Sequence, residues 1–146
     1  MKNFALAAFT CVLLLSGCAT GPKHSEVASS IPALKADQGR VYFYRTAIVG
    51  AAVRPDVRLN GTVVGSAVPG GFFFVDQPPG ACEVSTSTEV EKKLTFTLAA
   101  GDTRYVRLNM NFGLLVGRVV PELTPAAEAT KEIADLSYAG TTALKK

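Results

Sequence analysis

The sequence predicts an all-β fold: an antiparallel β-sandwich of the immunoglobulin-like or transthyretin-like type, with about seven strands and one C-terminal helix. Two observations favour it. From residue 39 onward, short segments rich in aromatic and β-branched residues recur, separated by turn signals about every eight to twelve residues. Several of these segments alternate apolar and polar residues, and a helical period appears only near the C-terminus.

The first half of the predicted domain contains a strand, a hairpin and a second strand. RVYFYRT (40–46) carries large residues at successive positions, which favours a strand covered on both faces. DVRLNGTVVGSAV (56–68) predicts a hairpin turning at Asn60-Gly61, because both central positions of a type I′ turn need positive φ. GGFFFVDQPPG (70–80) predicts a strand whose three consecutive phenylalanines place at least one large ring on the outer face.

The second half begins with three further strand segments. ACEVSTST (81–88) places Cys82 and Val84 on one face, so we expect Cys82 to be a buried thiol. KKLTFTLAAGD (92–102) and TRYVRLNMNF (103–112) alternate apolar with polar residues, as half-buried strands do.

A last strand and one helix complete the predicted domain. LLVGRVVPEL (114–123) is apolar and is expected to end as a strand before Pro121. Thr124 is the expected N-cap of the helix, with Pro125 in its first turn, where a missing N–H does no harm. The helix has one apolar face, formed by Ala126, Ala129, Ile133 and Leu136.

The N-terminus has the pattern of a bacterial lipoprotein signal. After Lys2, residues 4–15 form an uncharged apolar run, shorter than the roughly 20 residues of a spanning helix. The run closes with Leu15-Ser16-Gly17-Cys18, which resembles the bacterial lipobox. This resemblance implies cleavage between Gly17 and Cys18, then acylation of the Cys18 thiol and of the freed amino group. Several acyl chains hold a protein on a membrane durably, whereas one does so only marginally.

Ala19, rather than Asp, follows the modified cysteine, which implies the outer membrane with the domain facing the periplasm. The chain then divides into a signal peptide (1–17), a lipid-anchored tether (18–38), the β-sandwich domain (39–140) and a flexible tail (141–146). The membrane is thus one expected partner, through the N-terminal lipid.

Charge and cysteine count restrict the partners further. Removing the signal takes Lys2 from the 15 Lys and Arg, so 14 basic residues remain against 12 Asp and Glu. This mildly basic net charge does not indicate a nucleic-acid partner, so we expect none. Cys11 leaves with the signal and Cys18 carries the lipid, so Cys82 has no partner for an intrachain disulfide.

The composition also points away from catalysis and from cofactors. His24, the only histidine, falls in the tether, so a Ser-His-Asp or Cys-His arrangement has no base in the domain. A histidine-based zinc site lacks ligands for the same reason. We therefore expect no catalytic residue, no metal ion and no cofactor.

Strand arginines form one part of a possible interaction surface. Arg45, Arg58 and Arg107 lie on predicted strands among tyrosines that include Tyr105. On an outer face they could bind an anionic polymer, a lipid headgroup or a partner's carboxylates, because arginine forks onto both phosphate and carboxylate. The alternative is the ordinary polar face of a sandwich, with arginine stems covering apolar surface.

The apolar segment 111–121 forms the other part. If it is exposed, it presents Phe112, Leu114 and Leu115 to a partner or to a membrane. If it is buried, it is a core strand.

Three stretches resemble a bacterial family of small envelope lipoproteins that is classified as a domain of unknown function. They are GRVYFYR (39–45), VRLNGTVVGSAVPGGFFFVDQPPGACEV (57–84) and AAGDTRYVRLNMNFG (99–113). The middle stretch is also similar to PEGA-type surface modules. The resemblance implies a lipid-anchored sandwich of the immunoglobulin-like or transthyretin-like type and carries no catalytic residue with it.

The expected function is therefore that of a lipid-anchored, non-enzymatic envelope lipoprotein. In the leading hypothesis it docks onto an envelope protein through one sheet face or through the 111–121 hairpin. In the alternative, the sandwich binds a small ligand or an anionic glycan in the periplasm, between the sheet and the helix.

Overall fold

Two β-sheets pack face to face in the computed structural model, which describes residues 19–87, 92–112, 117–142 and 144. The elements in chain order are α1 (His24–Val27), a 3₁₀ turn (Ala28–Ser30), β1 (Gly39–Arg45), β2 (Asp56–Leu59), β3 (Thr62–Ser66), β4 (Gly71–Gln77), β5 (Gly80–Thr86), β6 (Lys92–Leu98), β7 (Thr103–Phe112), β8 (Gly117–Thr124), α2 (Ala126–Ile133) and β9 (Ser137–Tyr138). Sheet A has the strand order β8-β7-β1-β4-β9, and sheet B has the order β3-β2-β5-β6. The predicted all-β, two-sheet architecture is confirmed.

Strand direction differs from the prediction. β1 pairs antiparallel with β4 but parallel with β7, and β4 pairs parallel with the short β9. Both β4 and β7 reach β1 only after the chain has crossed to sheet B and returned, so neither pairing is a short hairpin that would require antiparallel strands. Sheet A is therefore mixed, and the described ranges contain nine strands in place of about seven.

β1 is buried along its whole length because sheet A is covered on both faces. On the face toward sheet B, Phe43 stacks on Phe73 with ring centroids 5.0 Å apart. On the opposite face, Tyr42 contacts Phe72 and Phe74 beneath the N-terminal segment and α2. Two predictions are confirmed: β1 is covered on both sides, and the phenylalanine run places rings on the outer face.

Sheet B supplies the other half of the core. Asn60 (φ 50°) and Gly61 (φ 81°) form the predicted turn between β2 and β3, both in the positive-φ region. Cys82 and Val84 face inward and are buried, as the alternation in β5 predicts.

The first part of the predicted tether (18–38) is docked on sheet A, as the contacts of residues Ala19 to Val27 show. The Ala19 backbone N–H donates to Pro69 O at 3.1 Å, and Tyr138 N–H donates to Pro22 O at 2.8 Å. Val27 is fully buried, and the His24 ring meets Phe72 edge-on. A helix of one turn is too short to leave a hydrophobic period in the sequence, which explains why α1 was not predicted.

The edges of sheet A also differ from the prediction. β8 continues through Pro121, where a strand end was expected. An edge strand tolerates proline because its missing N–H can face away from the ladder. After α2 the chain crosses the outer face of sheet A and adds β9 at the opposite edge.

The helices are short. The predicted N-cap is wrong, because Pro125 occupies the N-cap position of α2 and Thr124 is the last residue of β8. α2 ends at Ile133, so Leu136 of the predicted apolar face lies beyond the helix. Across the described residues, no helix is long and apolar enough to span a membrane.

Candidate functional site

Arg45 is fully buried, so its assignment to an interaction surface is wrong. It ends β1, and its guanidinium donates to the backbone carbonyls of the loop that follows. The acceptors include Val53 O at 2.6 Å, Val49 O at 3.0 Å and Ala67 O at 3.0 Å, together with the carbonyls of Ala47 and Gly50. Burial lowers the pKa of Arg45, and the charge of Arg54 adds to that effect. Arg45 therefore shapes the loop 46–55 and is not available to a partner.

Arg107 is committed to α2. Its guanidinium donates to Glu128 and, at 2.7 Å and 3.0 Å, to Glu132 Oε2. The Tyr44 hydroxyl donates to the same Glu132 oxygen at 2.7 Å. Burial alone would lower the pKa of Arg107, but the hydrogen bonds to Glu128 and Glu132 outweigh it and raise the pKa. The Arg107 charge is thus neutralised within the domain.

The remaining predicted surface residues are dispersed. Arg58 is half-buried on the outer face of sheet B, level with Ser85, and makes no hydrogen bond or ion pair with the described residues. Phe112 is 69% exposed at the end of β7. Leu114 and Leu115 lie outside the described residues, as do Gly17 and Cys18 of the predicted lipidation site. The predicted surface is therefore not one continuous patch.

Tyr105 lies in a cleft that sequence reasoning did not find. The cleft has a volume of about 380 Å³ and lies between the outer face of sheet A, α2 and the segment that joins α1 to β1. We call it the tyrosine cleft; its lining includes His24, Leu34, Arg40, Tyr42, Tyr105 and Ile133.

Stacked aromatic rings form the floor of the tyrosine cleft. Tyr42 in β1 is the register partner of Tyr105 in β7, and both side chains point to the outer face. Their rings are stacked, with centroids 5.3 Å apart and planes 12° from parallel. His24 meets Tyr42 edge-on at 6.2 Å. Strand pairing therefore fixes a rigid aromatic surface at the base of the cleft.

An internal ion pair closes one end of the cleft. Arg40 binds Asp76 with two hydrogen bonds, Nε to Oδ1 at 2.6 Å and Nη2 to Oδ2 at 2.8 Å, and it also donates to Pro32 O at 2.7 Å. The hydrogen bond to Asp76 raises the pKa of Arg40. Its guanidinium carbon lies 4.6 Å from the centre of the Phe74 ring. The Arg40 charge is therefore balanced before any ligand arrives.

The other polar groups of the cleft are neutral near pH 7. Burial lowers the pKa of His24, which favours the uncharged imidazole. Burial raises the pKa values of Tyr42 and Tyr105, so both phenols stay protonated. The site offers neutral hydrogen-bonding groups above an aromatic floor. Within the described ranges, no group of three or more His, Cys, Asp or Glu residues could hold a metal ion.

Sequence reasoning missed His24 and Arg40 as cleft residues for different reasons. His24 was assigned to the tether, although its segment docks on sheet A. Arg40 was treated as the first residue of a strand, and nothing in its local sequence indicates Asp76 as its partner. The sequence did show tyrosines on both β1 and β7. Only the parallel register of these two strands, which the sequence does not reveal, places Tyr42 beside Tyr105.

The comparisons with known proteins give a family but no activity. Residues 35–119 match the model of a family described as protein of unknown function (DUF2846). An uncharacterized protein of Haemophilus influenzae is 29% identical over 132 residues, which covers 87% of this chain and 79% of that relative. No solved structure matches the chain. The predicted similarity to a family of unknown function is confirmed, and the matched range contains both tyrosines of the cleft floor.

Proposed function

Since the chain belongs to the DUF2846 family, whose function is unknown, we propose from its own residues that it is a lipid-anchored, non-enzymatic binding protein of the bacterial envelope. In this proposal Cys18 carries the lipid, and an immunoglobulin-like or transthyretin-like sandwich receives a small neutral molecule in the tyrosine cleft. The protein resides in the outer membrane and faces the periplasm.

The anchor is supported by the sequence from Lys2 to Cys18. A single positive side chain, an apolar run at 4–15 and small residues before a cysteine occur in the order that lipoprotein processing requires. Acyl chains on Cys18 would then attach the domain to the membrane without a spanning helix.

The stacked pair of Tyr42 and Tyr105 is the observation that carries the ligand-binding proposal. A cleft of about 380 Å³ falls within the range of small-molecule sites, which are mostly apolar with a few oriented polar groups. Here Leu34 and Ile133 contribute apolar walls, and the tyrosines contribute flat rings with hydroxyl groups. A planar or largely apolar molecule that bears one or two hydrogen-bonding groups fits this chemistry best.

Charge balance favours a neutral ligand over the anionic glycan. Arg40 is paired with Asp76, and the lowered pKa of His24 keeps the imidazole uncharged at neutral pH. An anion entering the cleft would lose hydration without meeting an unpaired cation among the described lining residues. The proposed function is binding without a reaction, and the Thr130 hydroxyl in the lining already donates to Ala126 O at 2.8 Å.

Docking onto an envelope protein is the second candidate. One observation favours it: Arg58 lies on the outer face of sheet B and has no ion-pair partner among the described residues. Arg45 and Arg107 do not contribute to such a docking surface, because both serve internal contacts.

The test compares two probes that share an aromatic frame. N-phenylnaphthylamine is neutral, and anilinonaphthalene sulfonate adds a negative charge. A soluble form beginning at Ala19 is titrated with each probe, alongside Ala33→Phe, which adds a bulky side chain to the lining of the cleft, and Ala100→Phe, a control on an exposed turn that is not part of the lining. We expect the neutral probe to bind the parent and Ala100→Phe, and to bind Ala33→Phe at least about tenfold more weakly. Equal binding of the sulfonate would contradict the neutral preference, and no binding of either probe would favour the docking function.

A further inference from the structure

The two ends of the sandwich differ in what they expose. β1 and β7 run parallel and finish at the same end, where the antiparallel β4 begins at Gly71. We call this the anchor end. Its described residues comprise Ala19, the loops 46–55 and 67–70, the end of β7 and the starts of β2, β6 and β8. The opposite end carries the turns at 60–61, 78–80 and 99–102.

The N-terminal segment enters the fold at the anchor end. Ala19 N–H donates to Pro69 O at 3.1 Å, and a Cβ placed on Gly71 would lie 3.1 Å from the Ala19 Cβ. Ala19 is bonded to Cys18, and consecutive Cα atoms are only about 3.8 Å apart. A lipid on Cys18 is therefore attached at the anchor end, with no spacer between the lipidated residue and the docked chain.

The most exposed large apolar side chains lie at the same end. Among the described residues, Phe112 is 69% exposed, Val49 is 64% exposed and Ile48 is 62% exposed. The other two exposed large apolar residues, Val63 at 48% and Leu123 at 36%, lie along strands β3 and β8.

Side-chain contacts hold the loop that carries Ile48 and Val49 against the end of β1 and against β7. Arg45 holds the loop through the carbonyls of Val49 and Gly50, each at 3.0 Å. Gly50 lies against β7: a Cβ placed there would be 2.6 Å from Met110 Cε. Tyr44 is paired with Arg107, so Arg45 lies level with Leu108. At about 3.3 Å per residue, β7 carries Phe112 about 13 Å beyond that level. The loop and the end of β7 therefore both present exposed apolar side chains at the anchor end.

From these positions we propose that the anchor end is a membrane-contacting face, in which Ile48, Val49 and Phe112 enter the headgroup region of the bilayer that holds the Cys18 lipid. The inference rests on the proposed lipid anchorage. Shallow insertion of apolar side chains by about 5–10 Å is the usual depth for interfacial contacts. A bilayer is the occupant favoured here because attachment at Cys18 brings this end to its surface before any diffusing partner can reach it.

The charged residues that the structure describes at the anchor end are compatible with phospholipid headgroups. Arg54 lies in the loop 46–55, Lys92 begins β6 and Arg118 is the second residue of β8, whereas Asp56 begins β2 at this end. Basic side chains beside apolar ones are typical of surfaces that rest on anionic lipid. With this face on the membrane, the Arg40–Asp76 end of the tyrosine cleft is directed away from it.

The chain contains no tryptophan, so a single introduced tryptophan is its only indole fluorophore. The depth of that side chain in a bilayer can therefore be measured directly. Full-length lipoprotein with Val49→Trp or with Ala100→Trp at the opposite end is purified and reconstituted into phosphatidylethanolamine–phosphatidylglycerol vesicles containing brominated acyl chains. Flotation of the vesicles reports anchorage, and bromine quenching of the indole reports its depth.

We expect both variants to float and the Val49→Trp indole to be quenched several-fold more than the Ala100→Trp indole. Flotation of both with equal quenching would overturn the membrane-contacting face and leave the anchor intact. Failure of both to float would overturn the anchorage and this inference with it. Protection of the Val49→Trp indole from aqueous acrylamide without bromine quenching would indicate a protein occupant and would also overturn the inference.

Discussion

Arg107 Nη2 lies 2.7 Å from Glu132 Oε2, and this ion pair joins β7 to α2 across the outer face of sheet A. The Tyr44 hydroxyl donates to the same oxygen from β1 at 2.7 Å. Three elements that are distant in the sequence thus meet at one carboxylate. The contact fixes the α2 wall of the tyrosine cleft, which includes Thr130 and Ile133.

Replacing Arg107 by methionine is expected to lower the free energy of unfolding by about 2 kcal/mol, because hydrogen bonds to two carboxylates and a phenol are lost from a mostly buried position. Urea denaturation of the soluble form measures the change. Arg104→Met is the matched control, since its pair with Asp102 is exposed and contributes about 0–1 kcal/mol. Equal losses in the two variants would show that the Arg107 contact does not secure α2.

Arg45→Met is expected to cost about 3 kcal/mol or more, because several inward-facing carbonyls of the loop 46–55 lose their donor at once. Arg58→Met, on the outer face of sheet B, should change the free energy of unfolding by about 0.5 kcal/mol or less. The same urea experiment compares the two. A small effect at Arg45 would mean that water can replace its guanidinium, contrary to its complete burial.

Stability should fall as the pH drops below about 6.5, the ordinary pKa of histidine. Burial lowers the pKa of His24 in the folded state, so the unfolded chain binds the proton more tightly. The contribution of His24 is therefore fully present above its unfolded pKa and is lost as the pH falls toward its folded pKa. Urea midpoints from about pH 7.5 to pH 5 measure this slope.

His24→Gln is the comparison, because the chain has no second histidine to titrate in this range. It should flatten the dependence near pH 6. An unchanged slope in His24→Gln would assign the effect to carboxylates.

Local sequence patterns predicted the elements that short-range chemistry determines. The hairpin at Asn60-Gly61 follows from backbone preference, because both residues adopt the positive φ that the turn needs. The burial of Cys82 follows from alternation along β5. The covering of β1 on both faces follows from its unbroken run of large residues.

Contacts between distant segments were beyond the reach of the same patterns. Nothing near Arg45 indicates that the loop after it folds back to place several carbonyls around its guanidinium. The tyrosine cleft depends on the parallel pairing of β1 with β7, and so on which strands become neighbours after a long crossover. The docking of His24 depends on backbone bonds to residues more than 100 positions away, such as His24 N–H to Leu136 O at 2.9 Å.

The most direct test of the lipid anchor is incorporation of labelled palmitate by the full-length protein in bacterial cells, with Cys18→Ala and Cys82→Ala in parallel. We expect label in the parent chain and in Cys82→Ala, and an unlabelled product from Cys18→Ala that no longer fractionates as a processed lipoprotein. Cys82→Ala is a fair control because it removes a buried thiol without changing the signal sequence. Continued labelling of Cys18→Ala would contradict the lipid anchor, and with it the function and the membrane-contacting face proposed for this domain.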